Sequence, residues 1–142
     1  MAIVYVGTLD SAATDQLNSY RGTAWSEPAL YLGLLTAGPT ASSGTGASEL
    51  SHADYARKAV TYGVPSGRKI TATADVVFTS SATSAWNSGQ AIKIFGLWSA
   101  ATGGTLRYVG PLSPQITVVT GSPVILPAST VSIVAEATSM DI

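Results

Sequence analysis

Ala91 to Trp98 (AIKIFGLW), followed by Gly103-Gly104 and then by Leu106 to Val109 (LRYV), is the stretch that decides the fold. The first run is rich in β-branched and aromatic residues and reads as a strand. Alternation puts Ile92, Ile94 and Trp98 on one face and Phe95 and Leu97 on the other, with Trp98 assigned to the core by its register with the isoleucines. Two consecutive glycines can both take φ > 0, which a tight hairpin turn requires. The second run then returns antiparallel to the first.

The same signals recur outward in both directions. Residues 29–36 (ALYLGLLT) are apolar on both faces, as in a central strand or one covered by a partner. Ala37 to Ser48 is rich in Gly, Ser, Thr and Pro and reads as a flexible surface loop. Tyr55 to Tyr62 alternates imperfectly, Pro65-Ser66-Gly67 turns the chain, and residues 69–79 read as one strand with a break. Residues 80–90 form a polar connection carrying Trp86. Past the hairpin, Gly110-Pro111 and Ser113-Pro114 are expected to break the returning strand. Further strands are expected at Ile116 to Val119, Val124 to Leu126 and Val131 to Ala135. Near the start, Ile3-Val4-Tyr5-Val6 reads as a short strand or extended arm. Leu9, Ala13, Leu17 and Tyr20 then mark one face of a helix over 11–20, with Gly22 at its C-cap. The expected fold is all-β: an antiparallel sandwich or jelly roll of about 7–9 short strands with one short N-terminal helix. Residues 1–9 form an arm or strand, and 10–142 a single sandwich domain.

Composition removes several function classes. The chain has 142 residues, 46% of them hydrophobic and 11% charged, a net charge of -1 and no cysteine. That is the reverse of a disordered tail. A compact monomer of this mass exposes roughly 6,800 Å², so its charges lie about 450 Å² apart. Such a surface is covered by small polar residues or hidden against neighbours. The basic residues are scattered, which excludes a nucleic-acid footprint. No apolar run approaches a membrane span, Met1 to Gly7 lacks the features of a signal peptide, and the missing thiols exclude disulfides and thiolate metal sites.

Chemistry-bearing constellations are sparse. His52 is the only histidine and lies in Leu50-Ser51-His52-Ala53-Asp54, after the polar loop. Serines are so abundant that one near His52 is no evidence for a Ser-His-Asp triad, and the histidine reads as a surface loop residue. The carboxylates run from Asp10 to Asp141 with no i, i+2 pairing; Glu49 and Asp54 could meet in space, but nothing in the spacing favours it. Metal-ligand spacing is absent, and Gly44-Thr45-Gly46 lacks the lysine of a phosphate loop. The chain is therefore read as non-enzymatic, without cofactor or metal. Trp25 and Trp86, both in connections, are the candidates for a sugar-stacking platform. Arg57-Lys58 and Arg68-Lys69 are basic doublets, expected to face solvent or to pair with acids across a subunit boundary.

Three segments together carry a family resemblance. They are Arg21 to Trp25 leading into Leu30 to Ala37; Glu49-Leu50-Ser51 with Tyr55 to Thr61; and Ile94 to Leu106 running on to Leu112. In these the chain resembles small virion proteins of tailed bacteriophages, described as tail-fibre-like or as head-decoration proteins. The resemblance implies a non-enzymatic β-sandwich subunit, trimeric, assembled in the host cytoplasm and carried on the virion. The Ile3-Val4-Tyr5-Val6 start departs from it, since a helix is expected almost at once. The first reading is a decoration protein that binds the major capsid protein as a homotrimer and braces the shell. The arm Ile3, Val4, Tyr5 and Val6 would make the capsid contact, with Tyr31, Leu35, Arg57 and Lys58 as subunit contacts. The alternative is a tail-fibre or tail-tip subunit that binds host surface carbohydrate through Trp25, Trp86 and the 38–48 loop.

Overall fold

The computed structural model describes residues 7–8, 10–22 and 29–134; the arm Ile3 to Val6 and Trp25 lie outside them. Among the described residues, the helix α1 (Asp10–Tyr20) follows the short strand β1 (Gly7–Thr8). Nine more strands follow: β2 (Leu30–Ala37), β3 (Ser48–Glu49), β4 (Lys58–Val60), β5 (Lys69–Thr71), β6 (Val76–Thr79), β7 (Ile92–Trp98), β8 (Leu106–Ile116), β9 (Val124–Leu126) and β10 (Ser132–Val134). All pairings are antiparallel. The main sheet runs β1-β8-β7-β2-β3, with β4 also on β2, and two ribbons, β5-β10 and β6-β9, form the second layer. The chain is an all-β sandwich with one short N-terminal helix.

The core lies between the layers. Leu30, Leu32 and Leu34 from β2, with Phe95 and Leu97 from β7 and Tyr108 from β8, meet Val76, Phe78, Val124 and Leu126 from the ribbons. The apolar runs 29–36 and 91–98 thus form the two central strands, and Gly103 and Gly104 both take positive φ in the connection between β7 and β8.

Several local expectations are corrected. The proposed single strand over 69–79 is two strands in different ribbons, and at the break Asp75 Oδ1 accepts a bond from Ala128 N–H at 2.8 Å. The prolines do not end the returning strand: β8 runs unbroken from Leu106 to Ile116, with Pro111 paired to Ile94 and a cis Ser113–Pro114 bond. Among the described residues β1 flanks β8 only at Tyr108 and Val109. Beyond that point β8 has no further neighbour among the described residues on that side, where a missing N–H breaks no ladder. Ile116 ends β8, and residues 117–119 are not strand. A register shift between Ile92 and Ile94 turns Ile92 to the core beside Phe95 and Leu97. Trp98, which alternates with the core residue Leu97, is buried on the opposite face of the main sheet instead of in the core.

The helix is present, but not with the expected inner face. Ala12 is fully buried, whereas Leu17 and Tyr20 are 64% and 86% exposed. Polar fastenings set its rotation: Ser11 Oγ donates to the Leu106 carbonyl at 3.4 Å, and Asp15 pairs with the buried Arg107 on β8 at 2.7 Å. Gly22, at φ +86°, ends it as expected. The 38–48 loop is braced by its own bonds, with Thr40 N–H on the Thr45 carbonyl at 2.7 Å, and the Ser42 carbonyl accepts the N–H of Asp10.

Trp86 is fully buried, edge-on to Tyr55 and Phe78, and its indole N–H has no acceptor among the described residues. A ring that shows no face to solvent cannot stack on a sugar, so Trp86 does not serve the platform envisaged for it. Trp86→Ala is expected to cost about 3–5 kcal/mol, measured as a drop in urea midpoint at unchanged slope.

Candidate functional site

One edge of β2 is incomplete. β4 pairs with Leu30 to Leu32 and β3 with Leu35 and Ala37, which leaves Gly33 and Leu34 without a neighbouring strand on that side among the described residues. The chain leaves β3 after Glu49, loops outward, and re-enters the sheet at Lys58. Backbone groups in the gap still need partners. Leu50 N–H donates to the Leu34 carbonyl at 2.9 Å, and Leu34 N–H donates to the Tyr55 hydroxyl at 2.9 Å.

Charge ties the two ends of the loop. Arg57 Nε donates to Glu49 Oε1 at 2.8 Å and Nη2 to Oε2 at 2.7 Å. This is the two-pronged geometry that makes an arginine–carboxylate pair strong and directional. Tyr55 donates its hydroxyl proton to the same Oε1 at 2.7 Å. Nη1 reaches across to the β7–β8 connection, donating to the carbonyls of Ala100 at 3.0 Å and Gly103 at 2.6 Å. The guanidinium lies 4.1 Å above the Trp98 ring, a cation–π contact.

Two strand glycines make room for this assembly. Gly33 and Gly96 are register partners on β2 and β7. A Cβ at Gly33 would sit 2.5 Å from the Tyr55 hydroxyl and 2.8 Å from the Trp98 ring; one at Gly96 would sit 2.7 Å from that ring. Glycine inside a strand often marks such a close approach, and this was the signal that could have located the site.

Beside the pair opens a cleft of about 350 Å³, lined by Glu49, Ser51, His52, Tyr55, Arg57 and Thr102 among others. His52 stands at its far end and superficially satisfies a Ser-His-Asp arrangement. Nε2 is 2.7 Å from Ser84 Oγ, and Nδ1 is 3.8 Å from Asp54 Oδ2. The proton placement is wrong for a nucleophilic triad. Asp54 N–H donates to Nδ1 at 3.2 Å, so in the neutral ring the proton sits on Nε2 and is donated to Ser84. A base must do the opposite. Asp54 Oδ2 instead accepts both the N–H and the hydroxyl of Thr83, each at 2.6 Å, and these bonds hold its carboxyl below the usual range. His52 also packs on Trp86, with ring centroids 5.6 Å apart. It is a clasp between two loops.

A second cavity, of about 170 Å³, lies between β8 and β9 and is walled by Leu32, Phe95, Leu112, Pro114, Ile116 and Leu126 among others.

The other candidates scatter. Arg57 turns inward onto Glu49 of its own chain. Lys58 is half-buried at the start of β4, Tyr31 is half-buried opposite Trp98, and Leu35 is 1% exposed. Sequence reasoning paired Glu49 only with Asp54 and gave Tyr55, Gly33 and Gly96 no role. No group of three or more His, Cys, Asp or Glu that could hold a metal occurs among the described residues.

Two outcomes are expected. Gly96→Ala should displace Trp98 and Leu106 and cost about 1–3 kcal/mol in chemical denaturation. Burial alone would raise the Glu49 pKa, but the bonds from Arg57 and Tyr55 and the Arg57 charge outweigh it and hold the pKa below its ordinary 4.5. The stabilisation is then complete above that ordinary value and is lost as pH falls through the lower folded one. Denaturation midpoints from about pH 7 down to pH 3 should decline less steeply in Glu49→Gln than in the parent chain.

Among curated proteins no sequence matches the chain. Residues 7–134 match the model of one family, described as "Podophage GP4 fiber I protein gp80". That span runs from β1 to β10 and takes in the helix, both layers and the cleft, so the chain belongs to the podophage GP4 fiber I protein gp80 family.

Proposed function

We propose that this chain is a non-enzymatic structural subunit of a tailed-phage fibre, that it assembles with copies of itself, and that it binds host surface carbohydrate. The family match over residues 7–134 carries the reading, and it favours fibre over shell decoration. The virion is then its final location, and neighbouring copies replace the major capsid protein as its main partner. The proton placement at His52 supports a structural role, since Nε2 donates to Ser84 instead of accepting from it.

Self-assembly has support on the surface. Leu17 and Tyr20 stand exposed on one face of α1, and large apolar side chains left together in solvent are typical of contact surfaces. A homotrimer is the expected assembly. Native mass spectrometry of the purified chain should show a trimer, and Leu17→Ser with Tyr20→Ser should weaken it; a monomer at micromolar concentration would sink the homotrimer.

Position on the particle is tested by copy number, using quantitative mass spectrometry against the major capsid protein. A few copies per hundred capsid subunits are expected for a fibre. A ratio near one to one would overturn the fibre reading and restore decoration.

A further inference from the structure

The cleft beside the Arg57–Glu49 pair has hydrogen-bonding capacity that the fold does not use. A carboxylate offers about four lone-pair sites and a guanidinium five N–H donors. Glu49 Oε1 is filled by Tyr55 and Arg57 Nε, whereas Oε2 accepts a single bond. Arg57 uses Nε, both protons of Nη1 and one proton of Nη2. Among the described residues, one N–H on Nη2 and one lone pair on Oε2 therefore remain side by side, 2.7 Å apart at their parent atoms. The hydroxyls of Ser51 and Thr102, both exposed on the cleft wall, have no partner among the described residues.

We infer that this cleft binds a neutral, hydroxyl-rich ligand, a non-acidic sugar residue of the host surface, through a pair of adjacent hydroxyls; the inference rests on the carbohydrate-binding reading above. One sugar hydroxyl accepts from Nη2 while its neighbour donates to Oε2. An isolated donor or acceptor would fit many ligands, but a fixed donor–acceptor pair matches two hydroxyls on adjacent ring carbons. Both groups are already held by the fold: the guanidinium by Trp98 and two carbonyls, the carboxylate by Tyr55. Little side-chain entropy is lost on binding.

Local charge selects against acidic sugars. The Arg57 and Glu49 charges cancel, and Asp54, which does not line the cleft itself, lies 3.8 Å from the lining His52, so an added carboxylate finds no unpaired arginine or lysine on the wall. The cavity between β8 and β9 is no competitor, since its largely hydrocarbon wall would strip hydroxyls of their bonds. In the cleft Tyr55 is edge-on to Trp86 and mostly buried, so stacking contributes little. Affinity per site is then weak, of millimolar order, and useful binding comes from several copies acting together.

The test titrates the isotope-labelled full chain, followed by amide NMR, with the methyl glycosides of glucose, galactose and mannose, with rhamnose, and with glucuronate as the acidic arm. Saturable shifts confined to residues 49–57 and 100–103 are expected with at least one neutral sugar, and glucuronate should bind at least about tenfold more weakly. Thr102→Trp fills the cleft from an exposed loop position and should weaken the neutral sugar at least about tenfold with Tm unchanged. Ser51→Trp fills it from the opposite wall and covers the case in which the first variant misfolds. No saturable shift with any neutral sugar, shifts elsewhere, or preference for glucuronate would each overturn the proposal. The parent chain and both variants are also applied to immobilised surface polysaccharide from a permissive host. Binding that persists in the variants rejects the cleft and leaves the carbohydrate reading standing; absence of binding by the parent chain rejects both.

Discussion

The Arg57–Glu49 pair closes a gap that the sheet leaves open, and the outer face of the main sheet is arranged around it. Two short strands share one edge of β2 end to end, and the chain between them has to leave the sheet and return. A loop of that kind opens unless something holds its ends. A two-pronged ion pair does so while also using the guanidinium to hold Trp98 and the connection between β7 and β8. Removing either partner would leave the other half-buried and unpaired, which costs more than the pair itself contributes. Glycine at 33 and 96 follows from the same constraint, because any side chain there would lie where Trp98 and the Tyr55 hydroxyl sit.

The strands that supply most of the core were legible because periodicity reports burial. ALYLGLLT and AIKIFGLW are central strands, and Gly22 ends the helix; Gly103 and Gly104 take the expected positive φ, but within a seven-residue connection over 99–105 closed by Ser99 N–H on the Thr105 carbonyl instead of as a tight two-residue turn. Errors arose where a tertiary contact overrode a local pattern. The helix buries Ala12 and presents Leu17 and Tyr20 to solvent, because the Asp15–Arg107 pair fixes its rotation more strongly than two apolar side chains do. Ile92 joins Phe95 and Leu97 in the core across a register shift of three residues on β8, so Trp98, which alternates with Leu97, lies on the face away from the core. Trp86 lies in a mostly polar connection, SSATSAWNSGQ, whose other apolar residues are small alanines, yet it fills the core beside Phe78. The site itself was only half legible. Arg57 was noticed as a cation, but its acid, its tyrosine and its two glycines come from four separate segments.

His52 shows why a constellation has to be judged by roles as well as distances. The Ser84 and Asp54 separations alone would pass a loose search for a hydrolase. What decides the matter is one backbone N–H. The Asp54 amide takes the Nδ1 lone pair, places the neutral-ring proton on Nε2, and makes the imidazole a donor to Ser84. Thr83 holds the carboxylate that would otherwise orient the ring. The arrangement fastens the loop after Glu49 to the connection that carries Trp86, and so supports one wall of the cleft.

The scarcity of charge takes on a structural meaning once the acids are located. Four of the five described carboxylates are committed to the fold. Asp15 pairs with Arg107, Glu49 with Arg57, Asp54 with Thr83, and Asp75 with the amide of Ala128, while Asp10 stands exposed in the first turn of α1. Most of the described negative charges thus serve as fasteners, and the described solvent-facing surface is left largely to Ser, Thr, Gly and Ala. Contacts made by such a surface depend on shape and on hydroxyl and backbone hydrogen bonds, and vary little with ionic strength. On the fibre reading that is an advantage, because a particle outside the cell meets water of any salt content. It also explains how a neutral sugar can be held by an ion pair: the charges are fixed on each other first, and the ligand uses only the capacity left over.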